Sequence, residues 1–308
     1  MRKLKFDLDI DPNALLCPNP TEFYSKAYLT EDIVDNYRTL PGIKYATKIA
    51  NANFTNILSA STCEFQAGAS ALSAITIDVC AVSAMAEICR FDLEQSFVSE
   101  QMVKGSNGSF EVASFMNHYW GEMSKEIEQE IEQIRWKGNT TLTGGTVLAL
   151  CDGYEKGLLG DALVNDVTLT AVTVNNVLAA MAAVYASLAT NAPALINKTA
   201  DLRFYVAANV AAAFRQAVAA GNTNAYLTKN LDLTYLDIKI VVAQGMTSSK
   251  MVLTLKDNMI YAFDAEGDGK ALKAIDLSDT IAEPKLRTRA NMKIGFKHIN
   301  GAEIVYYN

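Results

Sequence analysis

Histidine is nearly missing from this chain: His118 and His298 are the only two in 308 residues. That withdraws the commonest general base and metal ligand from almost the whole molecule. His118 falls inside a long helical pattern beside Ser114, Phe115, Gly121 and Glu122, with no nucleophile at a recognisable spacing, so a surface or packed histidine is the simpler reading. His298 reads as a strand residue. Cysteine is also sparse: Cys17, Cys63, Cys80, Cys89 and Cys151 are scattered, odd in number and never in CxxC spacing. The pattern argues against a disulfide framework or a zinc site and predicts idle thiols in a reducing cytoplasm.

No apolar run reaches the roughly 18 residues that a membrane span needs, the nearest being the alanine-rich stretch 177–189. The opening MRKLKFDLDIDP carries two acidic residues where a signal peptide has its apolar centre, which predicts a soluble, non-exported protein. Large basic clusters are missing too. With a net charge of −7, the chain does not look like a nucleic-acid reader, which tracks phosphates with grouped Lys and Arg.

Catalytic signatures are equally scarce. Gly144-Gly145 and Gly157 to Gly160 match neither phosphate-cradling glycine pattern, and GxSxG and HExxH do not occur. Asp264 to Gly269 (DAEGDG) resembles the start of a calcium loop. Position 12 is Ile275 where a bidentate Glu is required, and a strand precedes it, so an exposed hairpin turn is expected. The pair Glu128/Glu132 falls on a charged helix face and reads as solvated or salt-bridged. No catalytic residue, cofactor or metal is therefore expected.

What is present is patterning. From Ser109 to Asn139, Phe115, Tyr119, Met123, Ile127, Ile131 and Ile134 recur at spacings of three and four, an apolar stripe along one helix over about 109–137. Ser109 is a plausible N-cap, Arg135 and Lys137 sit in the last turn, and Gly138 is available to end the helix. Residues 1–42 read as an arm. Pro12, Pro18 and Pro20 interrupt them, and Leu15, Leu16, Phe23 and Tyr28 have no local core and would dock on a neighbour. A short helix is predicted over 30–37. Partial alternation from Ile43 to Ile77 predicts two long strands joined near 59–68, a hairpin too poor in large apolar residues to stand alone. Residues 75–89 read as one strand, and 91–98 as a polar helix.

The region 143–283 alternates helices and strands: a helix packed through alanines at 173–190, a buried strand at 202–206, a helix at 209–219 capped by Asn209, then strands in LDIKIVVAQ, MVLTL and NMIYAFD. This is α+β with a mixed sheet. At the end, Met292, Ile294, Phe296 and Ile299 precede Asn300-Gly301, and Ile304 and Tyr306 follow, which predicts a hairpin on an NG turn.

The order of these parts resembles the major capsid protein of tailed bacteriophages, the Hong Kong-97-type fold shared with encapsulins. EIEQEIEQIRWKGNTT is similar to the family's spine-helix ending and ADLRFYVAANVAAAFRQAVA to its strand-then-helix segment. LDIKIVVAQGMTSSKMVLTLKDNMIYAFD and GFKHINGAEIVYY resemble its later strands. The resemblance implies an N-terminal arm at 1–42, an E-loop at 43–76, a peripheral domain from 77–142 with 285–308, and an axial domain at 143–284. It implies self-assembly into hexamers and pentamers, an icosahedral shell around double-stranded DNA in a virion built in the host cytoplasm, and no catalysis. Phe23 and Tyr28 of the arm, Phe54 and Phe65 of the loop, and Glu126 and Glu130 of the helix are the expected subunit-interface residues. Lysines are confined to the hairpin base (Lys44, Lys48), so covalent crosslinking through its tip is not expected. With no room before Met1 for a cleaved scaffolding segment, a separate scaffolding protein is expected, beside a portal and cement proteins. An encapsulin-like compartment is the alternative within the same fold. An α+β enzyme with a site in 143–284 is the rival from another class.

Overall fold

In the computed structural model, which describes residues 23, 24, 26, 31–55, 58, 69–89, 112–168, 170–221, 233–264, 272–277, 283 and 285–308, helical and alternating segments follow one another as the patterning requires. In chain order they are α1 (Glu31–Asn36), β1 (Arg38–Pro41), β2 (Thr47–Thr55), β3 (Ala69–Ile77), β4 (Cys80–Cys89), α2 (Val112–Lys137), α3 (Tyr154–Leu159) and β5 (Asn165–Val167). Then come α4 (Val177–Asn191), β6 (Leu202–Ala207), α5 (Ala208–Gly221), β7 (Thr234–Tyr235), β8 (Ile238–Ala243), β9 (Met251–Leu255), β10 (Met259–Phe263), β11 (Leu272–Asp276), β12 (Lys285–His298) and β13 (Val305–Tyr307). The Ser109 cap, the helix expected at 91–98 and the turn after Asp264 lie outside the described residues. The stretch expected to be one strand over 75–89 is two, because β3 ends at Ile77 and β4 starts at Cys80.

The chain divides into two compact units. One comprises Met1–Thr30, Ala81–Ile131 and Asp264–Lys293, the other Glu31–Cys80, Glu132–Phe263 and Ile294–Asn308.

In the first unit, β11 pairs antiparallel with the leading half of β12, Leu272 opposite Ala290 and Asp276 opposite Leu286, and β4 also pairs with β12. Strict alternation buries Leu286, Thr288, Ala290 and Met292 and turns Arg287 and Arg289 outward. The leading half of α2 covers the inward face: Trp120 and Ile127 are buried, and the Tyr119 hydroxyl lies 2.6 Å from Thr288 Oγ1. The helix is 26 residues long, about 39 Å. Its buried stripe corrects the expected one. Ile127, Ile131 and Ile134 are buried as the spacing requires, but further up Trp120 and Ser124 are buried while Tyr119 and Met123 are only half-buried. Trp120 offers the larger apolar surface to that side. Ser124 can accompany it because its hydroxyl donates to Gly121 O at 2.8 Å, within the helix itself.

In the second unit, a mixed sheet runs β5-β13-β9-β6-β8-β7, with β6–β8 and β13–β5 parallel and the remaining pairs antiparallel. Its inner strands are apolar at nearly every position, as strands covered on both faces must be. β10 stands between β1, to which it is parallel, and the trailing half of β12. β2 and β3 form a two-stranded antiparallel ribbon in unbroken register, Thr47 opposite Ile77 and Thr55 opposite Ala69. Helix α4 packs through Val177, Met181, Val184 and Leu188 together with Ala180, whereas Ala179, Ala182, Ala183 and Ala186 face outward. The expectation of packing through alanines is thus mostly reversed, because the larger side chains bury more apolar area per position.

Two further expectations are corrected here. Asn209 lies inside α5 and caps nothing. Its side chain accepts Ser249 N–H at 2.9 Å and donates to Ser249 Oγ at 3.2 Å, holding a loop whose Ser249 has a positive φ of 67°. The terminal NG hairpin does not form either. β12 ends at His298, a short 3-10 turn occupies Gly301–Glu303, and β13 joins β9 and β5 in the mixed sheet. Asn258 makes the switch possible: its Oδ1 accepts the N–H groups of Ile299 and Asn300, and its Nδ2 donates to Asn300 O.

Cys80 and Cys151 are joined by a disulfide, 71 residues apart in sequence, against the expectation of idle thiols; Cys89 is free. Scattered spacing concealed the pair because β4 and the loop after α2 meet only in the folded chain. A closed loop of that length restricts the unfolded chain by roughly 4 kcal/mol. Adding a thiol reductant, or replacing both residues by Ala, is therefore expected to lower the melting temperature of the purified protein by several degrees. Equal melting curves with and without reductant would show the bond to be absent in solution.

Candidate assembly surfaces

The last turn of α2 is built into the second unit by its backbone as much as by its side chains. A Cβ on Gly138 would stand 2.3 Å from Cys151 O, one on Gly153 2.5 Å from Ile134 O, and one on Gly245 2.0 Å from Glu132 O. Two loops, one through Cys151 and Gly153 and one through Gly245, thus meet the helix end at distances that only glycine allows. Gly138 ends the helix as the sequence predicts, but through close approach: its N–H bonds Ile134 O and its carbonyl accepts Gly153 N–H, both at 2.8 Å.

Beside that crossing, Arg135 is 2% exposed, the opposite of a solvated cation in a last turn. It pairs with Glu132, one turn earlier, and its guanidinium lies 5.1 Å from the ring centre of Tyr37 and 5.2 Å from that of Tyr261. Tyr37 stacks on Tyr154 at 6.0 Å, and Trp136 packs on Tyr154 and Tyr205. Tyr154 donates to Ile260 O at 2.7 Å and Tyr205 to Asn36 O. Burial pushes these phenols far up, so they stay protonated. Burial is the largest single influence on Arg135 and opposes its charge, but Glu132 together with the oxygens of Tyr37, Tyr261 and Tyr154 outweighs it and holds the guanidinium charged. Glu132, read from sequence as part of a solvated or salt-bridged face, is the counter-ion of this buried guanidinium and keeps 21% of its side chain exposed. The cluster fixes the helix end.

His298 is also structural in setting. It is 5% exposed, and its Nε2 lies 2.9 Å from Asp161 Oδ2. Burial lowers its pKa against the pull of Asp161, favouring the neutral imidazole.

Among the described residues, three surfaces are candidates for contact with another copy. The β2–β3 ribbon is about 30 Å long, and near it Tyr45 is 78% and Leu58 98% exposed. The outward face of β4, β12 and β11 carries Lys285, Arg287, Arg289 and Lys273 around Met85, 69% exposed, and Ile275, 50% exposed. The period-two run of cations in KLRTR signals this face in the sequence. The third is the outer face of α2.

Of the expected interface residues, Phe23 is packed in its own chain, edge-on to Tyr24 and to Trp120 with ring centres 5.4 Å apart in each case. Glu126 is exposed on α2. Glu130 is half-buried one turn later, its pKa raised by desolvation and by Glu126. Phe54 lies in β2, and Tyr28 and Phe65 fall outside the described residues. Among the described residues no helix is long and apolar enough to cross a membrane, and no group of three His, Cys, Asp or Glu side chains is placed to hold a metal.

No protein-family model and no curated protein matches this sequence. Solved structures do. A chain of the satellite phage P4 procapsid, solved with its size determination (Sid) protein, superposes with a TM-score of 0.57 at 11% identity, covering 92% of this chain and 96% of that one. A chain from Mycobacterium phage Ogopogo gives 0.55 at 13% identity, covering 89% and 90%. A virus-like particle from Pyrococcus furiosus gives 0.52 at 9% identity, covering 96% and 97%. At such identities the likeness is one of fold, and it runs nearly end to end: this chain has the Hong Kong-97-type α+β fold of tailed-phage major capsid proteins.

Proposed function

We propose that the chain is a major capsid protein whose copies assemble into hexamers and pentamers and close an icosahedral shell around a phage double-stranded DNA genome, without catalysis. The observation that carries this reading is the match to the satellite phage P4 procapsid chain over 92% of this chain and 96% of that one. The β2–β3 ribbon, anchored at its base by Ile77 and Ile49 against Ile260 and Ala262, supports it. A lone two-stranded ribbon is marginal in water and gains stability by lying on another surface. In this reading residues 1–42 are the arm, 43–76 the E-loop, 77–142 with 285–308 the peripheral domain and 143–284 the axial domain. Many weak contacts per copy, repeated around closed symmetry, make the shell stable without covalent links. Assembly in the host cytoplasm with a scaffolding protein, a portal and cement proteins belongs to the same proposal.

A second reading has one observation behind it. The likeness to the Pyrococcus furiosus virus-like particle is as complete in coverage, and fits a protein compartment of the same fold with different contents. Electron microscopy of the purified protein tests both. Capsomers, tubes or closed shells are expected. Monodisperse monomers or dimers under all assembly conditions would refute shell formation, and shells carrying protein cargo in place of DNA when isolated from their native cell would favour the compartment.

A further inference from the structure

Two like-charge pairs of opposite sign lie at the surface of the first unit, with Glu130 alone of the four half-buried. On the outward sheet face, Lys273 of β11 stands directly opposite Arg289 of β12. Like charges so placed repel, and among the described residues no ion pair relieves them. Glu87 is engaged by Lys285 at 3.0 Å and Arg287 at 2.5 Å, while Arg289 bonds only neutral groups, Asn291 at 2.8 Å and Ser83 at 3.4 Å. Among the described residues Lys273 has no ion-pair partner. The patch is not a purely solvated one, because Met85 and Ile275 are exposed within the same face. Arginine around exposed methionine and aliphatic side chains is the composition of a protein contact, whereas a phosphate-tracking surface would lack the apolar centre.

On α2, Glu126 and Glu130 are one helical turn apart and have no ion-pair partner among the described residues. Exposed Gln129 and Gln133 extend the same side. Residues four apart on a helix and residues directly opposite in a sheet hold their Cβ atoms at similar separations, about 5–6 Å and 4.5–5.5 Å. The two pairs therefore match in number, spacing and sign.

Resting on the shell-forming reading, we infer that the outward face of β4, β12 and β11, centred on Lys273 and Arg289, docks a second copy of this chain through the Glu126 and Glu130 side of its α2. Such a contact joins different patches on the two copies, so it propagates from copy to copy and closes where the rotation allows. Each pair neutralises in its partner a repulsion that the isolated chain carries, with Met85 and Ile275 in the apolar middle and Arg289 able to grip a carboxylate with two N–H groups.

The test is a charge exchange, read by sedimentation velocity for any self-association and by electron microscopy for shells. Lys273→Glu with Arg289→Glu is expected to raise the concentration for half-association about a hundredfold, and Glu126→Lys with Glu130→Lys to do the same. All four changes together should restore it. The neutral variant Lys273→Gln with Arg289→Gln guards against misfolding. It removes a repulsion, so its melting temperature should hold or rise while association weakens. Single-side variants that associate like the parent, or a four-site variant as defective as either side alone, would overturn the inference. So would a sheet-reversed variant that assembles normally but retains less DNA, which would assign the face to nucleic acid. A parent that stays monomeric at high concentration would refute both the contact and the shell. A parent that forms only small oligomers, rescued by the exchange, would refute the shell and keep the contact.

Discussion

Arg135→Ala protein is expected to be less stable than the parent by about 3–5 kcal/mol, read as a lower denaturant midpoint with an unchanged slope. Truncation leaves the Glu132 carboxylate without its counter-ion and opens a hole between the rings of Tyr37 and Tyr261, which now face the guanidinium. Glu132 keeps 21% side-chain exposure, so some water reaches its charge and the loss should fall toward the lower figure. Replacing both residues by Met should recover much of it, since a packed apolar pair can equal a buried ion pair. If the double change is no better than Arg135→Ala alone, the cation–ring contacts carry the stability and the ion pair does not. A total stability for a domain of roughly 5–15 kcal/mol makes the single change visible in yield as well.

Ile127→Asp is expected to do more. Ile127 is 4% exposed in the first unit, on the side of α2 that also buries Trp120 and Ile131. Among the described residues of that unit no cation is buried to pair with a carboxylate there. It must either remain charged without water or take up a proton, at a cost of at least about 4 kcal/mol in addition to the lost packing. Loss of folded, soluble protein is the expected outcome, before assembly can be asked about. Lys125→Asp, two positions earlier on the exposed side, should fold and serve as the control. A soluble Ile127→Asp variant that melts cooperatively and forms particles would show that this side of the helix is not core.

The contrast between these two residues shows what a sequence can say. Ile127, Ile131 and Ile134 were legible because three- and four-residue spacing on a long helix has one interpretation, a buried stripe. By position alone Arg135 is a cation in the last turn of the helix, next to the glycine that ends it. Only the arrival of Tyr37 and Tyr261 from distant segments buries it. The same holds for Asn209, whose cap-like position gave way to a loop arriving from Ser249, and for Asn300-Gly301. There a strong local turn signal lost to the side chain of Asn258 and to the pairing of β13 with β9 and β5. The expected interface set shows the same division: Glu126 stands exposed as expected on a charged helix face, whereas Phe23 was drawn into a contact with Trp120.

Local order was thus in the amino-acid sequence. The β2–β3 ribbon, the long helix, the alternation of β12 and the α+β series together carry the Hong Kong-97-type fold, because period and turn chemistry are properties of neighbours along the chain. Which polar groups are buried, which cysteines meet and which charges are left without a partner depend on segments tens to hundreds of residues apart. Cys80 and Cys151, Arg135 and Tyr261, and Lys273 and Arg289 come together only when the sheets form, so the tertiary structure alone decides them.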